Sequence, residues 1–277
     1  MRFLITIENS EIQQVPINYQ YPVSIWINRI FSRAEGTFKE WLDINGYTFS
    51  GPSRFSLYNF SGIQFYGSGF KNDPSPSLHV PPGKHQFQLS VFMGNEASAY
   101  ITELFMNQEL YINSKDLRTK FTVTSVEKLS MPKLEETTTF RALSPVVISK
   151  PKENASGKLI SQYLAPDNEE YGRLLHENIL KRYIDATTGK IGQEDPDKPF
   201  VRVSDIPFDT SLWEIKVTGS PKARLQTIKA GTPNQSKIKG FVFDFELTAP
   251  PELLSFIYAT GIGEKGSLGF GFVEIAK

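Results

Sequence analysis

Gly261-Ile-Gly-Glu-Lys-Gly-Ser-Leu-Gly-Phe-Gly271 contains five glycines in eleven residues and begins with the letters of a G-x-G-x-x-G motif. Its surroundings decide the fold. A dinucleotide-binding loop follows a strand, opens a helix and has an acidic residue about 20 positions on. Here an apolar segment opened by Pro250-Pro251 predicts a helix over 252–260 ahead of the motif, and residues 267–275 read as a strand after it. The chain ends at Lys277, too soon for the acid. The order helix, glycine turn, strand therefore excludes the dinucleotide reading. It fits the end of a β-α-β-β-α-β unit.

Working backwards from that end, residues 237–248 and 212–217 read as two strands joined by a hairpin, and 167–186 as a helix. The helix has Asp167, Glu169 and Glu170 in its first turn, Lys181 and Arg182 later, and a stop at Gly189, as the helix dipole favours. Residues 144–149 read as the strand that opens this unit. The first half repeats the order, with a strand at 2–8, a helix at 23–42, short strands at 55–60 and 63–66, and a Pro/Ser-rich loop at 73–83. A strand at 85–93, a helix at 96–107 and a strand at 119–129 complete it. The expected fold class is α+β, two tandem ferredoxin-like domains over 1–130 and 131–277. Ser130-Met131-Pro132 and the threonine run at 137–139 read as the linker.

Composition narrows the chemistry. Hydrophobic residues make up 39% of 277 and charged residues 22%, as in an ordinary packed protein. The absence of cysteine excludes disulfides, thiolate metal sites and cysteine nucleophiles, and suits a reducing compartment. The segment MRFLITIENSE is too short and too weakly basic for a signal peptide, and no run approaches the ~18 apolar residues of a membrane span. The cytoplasm is the expected location. His79, His85 and His176 lack metal-ligand spacing, and no G-x-S-x-G elbow is present, so neither a metal site nor a cofactor is expected.

Net charge is zero, but its distribution is uneven. From Ile215 to Gly240 the chain carries Lys216, Lys222, Arg224, Lys229, Lys237 and Lys239 and no acid. Such a hairpin offers phosphate contacts, or is simply solvated, its lysines discouraging edge pairing. The glycine turn has the same two readings. Uncovered main-chain N–H groups at Gly263, with Lys265 and Ser267, suit a phosphate, whereas a tight structural bend needs the same glycines.

Residues 261–274 resemble the glycine-rich signature, G-[LI]-G-E-K-x-S-x-G-F-G, of the CRISPR-associated endoribonucleases that cut precursor CRISPR RNA within its repeats, a branch of the RAMP superfamily. Further likeness lies in Ser144-Pro-Val-Val-Ile148, Gln162-Tyr-Leu164 and Asn178-Ile-Leu-Lys-Arg-Tyr183. In the first half it lies in Met1-Arg-Phe-Leu4, Pro16-Ile-Asn-Tyr-Gln-Tyr21 and Leu57-Tyr-Asn-Phe-Ser61. The resemblance implies paired ferredoxin-like domains, a glycine loop and hairpin facing RNA, and metal-independent cleavage to 2′,3′-cyclic phosphate and 5′-OH ends. CRISPR repeat RNA is the implied partner, with interference-complex subunits or a second copy of the chain as further candidates, and no membrane. Many members use a tyrosine on the first helix, a histidine at its end and a lysine just after it. Those positions hold Asn28, Asp43 and Ser56 here, with Arg54 two residues before the last. Arg54 is the candidate cation and Tyr47 or Tyr58 the candidate proton carrier. Asp43 is a poor substitute acid, because an exposed carboxylate is ionised near pH 7. Losing one general acid or base typically costs a factor of about 10² to 10⁴, so a slow cutter and a binder that does not cut are both compatible with these residues.

Overall fold

In the computed structural model, residues 1–36, 38–40, 58–71, 76–113, 117–187 and 208–276 are described. The chain runs β1 (Arg2–Asn9), β2 (Gln13–Pro16), α1 (Gln20–Ser32), β3 (Tyr58–Phe60), β4 (Gly69–Lys71), β5 (Ser77–Val80), β6 (Gly83–Val91), α2 (Ser98–Phe105), β7 (Glu109–Tyr111) and β8 (Lys120–Leu129). It continues through β9 (Thr137–Ala142), β10 (Ser149–Glu153), β11 (Leu159–Tyr163), α3 (Tyr171–Thr187), β12 (Glu214–Ile228), β13 (Ser236–Thr248), α4 (Pro251–Thr260) and β14 (Val273–Ile275).

The two main sheets share one topology. The first runs β3-β6-β1-β8-β7 and the second β12-β13-β9-β14. Setting aside the extra β7, each places the strands of its β-α-β-β-α-β unit in the order second, third, first, fourth, all antiparallel. That is the ferredoxin-like arrangement twice over, in an α+β chain. Most hydrogen-bonded neighbours are separated by a helix in sequence, β7–β8 and β12–β13 being hairpins.

The covered faces follow from the residues. In β1, Phe3, Ile5 and Ile7 alternate into the core beneath Trp26, Ile27, Ile30 and Phe31 of α1. Trp26 and Phe31 both meet Phe105 of α2 edge-on, at ring-centroid distances of 5.6 and 5.4 Å. In the second half Phe243, Phe245 and Leu247 of β13 are buried with Leu175 and Ile179 of α3 and Leu253 and Ile257 of α4. Phe92 packs against Phe256 at 5.0 Å, so one apolar core crosses both halves.

Arg2 is buried in that seam. Its guanidinium lies 3.4 Å from the Tyr258 ring centroid and 4.4 Å from that of Phe272. Nε and Nη2 donate to the Tyr258 carbonyl at 3.0 and 2.6 Å, and Nη2 also donates to the Val273 carbonyl. Burial lowers its pKa to about 10. Backbone carbonyls and ring faces thus replace the water this cation loses.

Several expectations are corrected. The threonine run assigned to a linker is β9, held between β13 and β14, with Thr138, Phe140 and Ala142 facing inward. Threonine is β-branched, and the partner strands lie far off in sequence, so the run resembled a polar connector. The strand expected at 144–149 is reduced to one bridge, Val146 with Phe241, because the chain bends at Ser144-Pro145 before β10. The loop expected at 73–83 contains β5, which pairs with β2 and β4. Residues 63–66 make only the bridge Gln64 with Gln86. The first helix stops at Ser32, where the Arg33 and Ala34 amides turn back to Ile30 and Phe31. The last strand begins at Val273, since residues Gly266–Leu268 form a 3₁₀ turn.

Candidate functional site

The glycine turn is wedged between the two halves. From one side β3 approaches it: Asn59 Nδ2 donates to the Phe270 carbonyl at 2.8 Å, while Asn59 Oδ1 accepts from the Phe60 amide at 2.7 Å. From the other side the 145–149 segment runs along it, with Glu264 N–H donating to the Val147 carbonyl and Gly271 N–H to that of Pro145. α1, the helix that carries Asn28, packs against the Gly266–Leu268 turn. Arg182 of α3 closes the top, donating to the carbonyls of Thr260, Gly261 and Gly263 at 2.9, 3.2 and 3.2 Å. Thr260 and Gly261, the last residue and the C-cap of α4, carry carbonyls that the helix end leaves without helical partners, and Gly263 lies just beyond. Among the described residues no carboxylate pairs with Arg182, and burial lowers its pKa to about 10.

Two glycines show what the turn requires. A Cβ on Gly271 would lie 1.8 Å from the Ile262 carbonyl oxygen, and one on Gly269 would lie 2.7 Å from the Phe60 ring. Both have positive φ, 69° and 82°. Close packing within the protein therefore accounts for them. Gly263, expected to offer an open N–H, is buried against the Val147 carbonyl. Glu264 is also used internally: its carboxylate accepts from the Ser149 amide at 2.6 Å and from the Ser149 hydroxyl at 3.0 Å. Lys265, in a left-handed conformation, and Ser267 remain partly exposed at the rim.

The hairpin of β12 and β13 extends past the core, and its register sorts the cations. Lys216 lies opposite Glu246, Lys222 opposite Val242 and Arg224 opposite Gly240, so these three share the sheet face away from the helices. Lys237 and Lys239 lie on the other face, beyond the buried Phe241, with the Lys239 ammonium 5.3 Å from that ring. Lys229 sits at the tip with φ 52°. All six are exposed. Between Thr218 and Lys222 four residues of β12 span two of β13, and because the excess is even, Lys216 stays on the same face as Lys222 and Arg224.

Of the candidate catalytic positions, Asn28 is half-buried on α1, while Asp43, Arg54 and Ser56, with Tyr47, lie outside the described residues. Tyr58, a candidate for proton transfer, is only 3% exposed and packs on Phe31 at 5.6 Å, so it belongs to the core. The histidines are structural in their surroundings. His85 is bonded to Asn9 and Tyr66, His79 lies in β5, and His176 stacks on Trp213 at 4.4 Å. No group of three or more potential metal ligands occurs among the described residues. None of their helices is long and apolar enough to cross a membrane. Asn59 and Arg182 were missed as site residues, although both sit in stretches that carry the resemblance. A polar side chain between Tyr58 and Phe60, in an otherwise apolar strand, is the signal that marks Asn59.

Two ferredoxin-like units, the second ending in a glycine-rich turn packed against the first, define the fold class of the chain. The model of the family described as CRISPR associated protein Cas6, C-terminal, matches residues 127–275, and the chain belongs to that family. A putative CRISPR-associated endoribonuclease-like protein Cas6 of Pyrococcus furiosus is 28% identical over 157 residues, 57% of this chain and 55% of that protein. The putative CRISPR-associated endoribonuclease-like protein Cas6nc of Pyrococcus horikoshii is 26% identical over 157 residues, 57% of this chain and 56% of that protein. The matched stretch thus spans about half the length of these relatives. A solved structure described as an RAMP protein binding different RNA substrates superposes with a TM-score of 0.75 at 22% identity, covering 100% of both chains. A Cas6-related protein from Pyrococcus furiosus gives 0.75 at 22%, covering 100% of this chain and 98% of that one. At those identities the likeness shows the fold.

Proposed function

We propose that this chain binds CRISPR repeat RNA along the seam between its halves and cuts it without a metal ion. One observation carries the reading. The glycine turn abuts both α1, which holds Asn28, and β3, whose first residue follows Ser56 and Arg54 closely in sequence. In the proposed reaction a ribose 2′-OH attacks the adjacent phosphorus while a base takes its proton. The 5′ oxygen of the next nucleotide leaves with a proton from an acid, giving 2′,3′-cyclic phosphate and 5′-OH ends. Arg54 is assigned the charge that develops on phosphate. Lys265 and Ser267 at the rim of the turn, with Lys216, Lys222 and Arg224 on the outer hairpin face, are assigned phosphate contacts. We take the chain as two domains, 1–130 and 131–277, in a cytoplasmic protein.

A second reading has its own support. With Asn28, Asp43 and Ser56 at the positions where many relatives carry tyrosine, histidine and lysine, the chain serves as a binding subunit that does not cut, alone or within an interference complex. Incubating stoichiometric protein with cognate repeat RNA in EDTA separates the two. Cyclic-phosphate ends support the enzyme, whereas retention of intact RNA establishes the binder.

A further inference from the structure

A groove of about 660 Å³ opens on another part of the same seam, between the first half and the tip of the basic hairpin. Two hydrogen bonds build it. Trp26 Nε1 of α1 donates to the Glu109 carbonyl of β7 at 2.8 Å, and the Thr227 amide of the hairpin donates to Asn18 Oδ1 at 3.2 Å. Helix, edge strand and hairpin tip are thereby fixed relative to one another before any ligand arrives. The lining is largely apolar, with Ile17 and Ile25 exposed, and Arg29 and Lys229 stand at its margins. Asn18 Nδ2 has no partner among the described residues.

Tyr111 of β7 forms the far wall and is 46% exposed. Its orientation is held: the hydroxyl donates to Glu109 Oε2 at 2.5 Å, Lys120 pairs with Glu109 Oε1 at 2.5 Å, and the Lys120 ammonium lies 5.9 Å from the ring centroid. Tyr111 and Asn113 also line a polar groove of about 1000 Å³, together with Arg118, Lys120, Glu8 and Glu11. The two grooves therefore meet at Tyr111 and Asn113.

An exposed, pre-oriented aromatic ring flanked by cations, beside an apolar slot with an unused amide, fits a flat base joined to a phosphate backbone. We propose that Tyr111 is a stacking platform for an unpaired nucleotide of the bound RNA, and that the groove over α1 receives the neighbouring base. The inference rests on the RNA-binding reading and adds that this contact requires single-stranded RNA.

The test uses the full chain and two fluorophore-labelled probes, a ten-nucleotide oligoadenylate and the same strand annealed to oligouridylate. Tyr111→Ala should weaken single-strand binding about tenfold and leave duplex binding unchanged, while Tyr111→Phe, which keeps the ring, should bind within about twofold of the wild type. Thermal melting checks that both variants fold. Unchanged single-strand affinity in Tyr111→Ala overturns the proposal, as does an equal loss in both variants, which would place the effect in the Glu109 bond. The pair Lys222→Glu and Arg224→Glu tells the two failures apart. If that pair weakens binding and Tyr111→Ala does not, the RNA reading stands and the stacking platform falls. If the wild type binds neither probe nor repeat RNA, both fall.

Discussion

Asn59 Nδ2 lies 2.8 Å from the carbonyl oxygen of Phe270, 211 residues on in sequence. Through this bond the second strand of the first ferredoxin-like unit holds the turn that ends the second. Asn59 is fully buried and the Phe270 side chain is fully buried, so neither group has water as an alternative. Asn59→Ala should cost about 1–3 kcal/mol, because a buried carbonyl loses its donor. Asn59→Asp should cost more, since it sets a carboxylate against that carbonyl. Thermal or urea melting measures both, and a melting point unchanged in the alanine variant would remove Asn59 from this role.

Gly271 and Gly157 separate strain from space. Both have positive φ, but a Cβ at Gly157 meets nothing within 4 Å, whereas one at Gly271 lies 1.8 Å from the Ile262 oxygen. Gly157→Ala should cost about 1–2 kcal/mol from backbone strain alone. Gly271→Ala should cost roughly 3 kcal/mol or more, because backbone must move as well. Equal losses in denaturant titrations would mean that the turn yields easily.

His85 sets a pH limit on the first half. Its Nδ1 accepts from the Tyr66 amide at 3.1 Å, and Nε2 donates to Asn9 Oδ1 at 2.9 Å, so the neutral ring is the form that fits. Burial lowers its pKa below the usual 6.5, against the Pro81 carbonyl, which raises it. The unfolded chain therefore binds a proton near pH 6.5 that the folded chain refuses until lower pH. Stability from this site is fully present above about 6.5 and is lost as pH falls through the folded value. Melting between pH 5 and 8 should show that slope, and His85→Gln should flatten it. A slope unchanged in the variant would assign it to another group.

Lys222 and Arg224 share one face of the hairpin, and Lys237 and Lys239 the other. If RNA lies on the outer face, reversing the first pair should weaken repeat-RNA binding and make its salt dependence shallower by roughly 0.7 per lost phosphate contact. Reversing the second pair should change it little. Similar losses from both pairs in filter binding would indicate RNA wrapped around the hairpin.

Asp43→His together with Ser56→Lys places at these positions the two side chains that the family resemblance implies there. Cleavage should rise by at least the factor of about 10² that one general acid or base contributes. Single-turnover rates in EDTA measure it. No gain, with RNA binding intact, would place the deficit at Asn28 or in the path of the RNA.

The repeated β-α-β-β-α-β order is legible in the residues alone, because apolar periodicity is local and β1, β8, β13, α3 and α4 announce themselves within a few residues. The sequence also marked the glycine turn, since so many glycines so close together suit few backbones. It misread β9 as a linker, because the Thr137–Ala142 strand is defined by β13 and β14 more than 100 and 130 positions away. What the glycines are for emerges only from the packing around them. Whether an uncovered N–H faces a ligand or the protein's own carbonyls depends on what packs there, and Pro145 and Val147, Asn59, and Arg182 arrive from three distant segments. The grouping of Tyr111 with the hairpin tip is of the same kind. Local pattern encodes which segments become strands and helices, whereas a site is made of distances between segments, and those exist only once the core has closed.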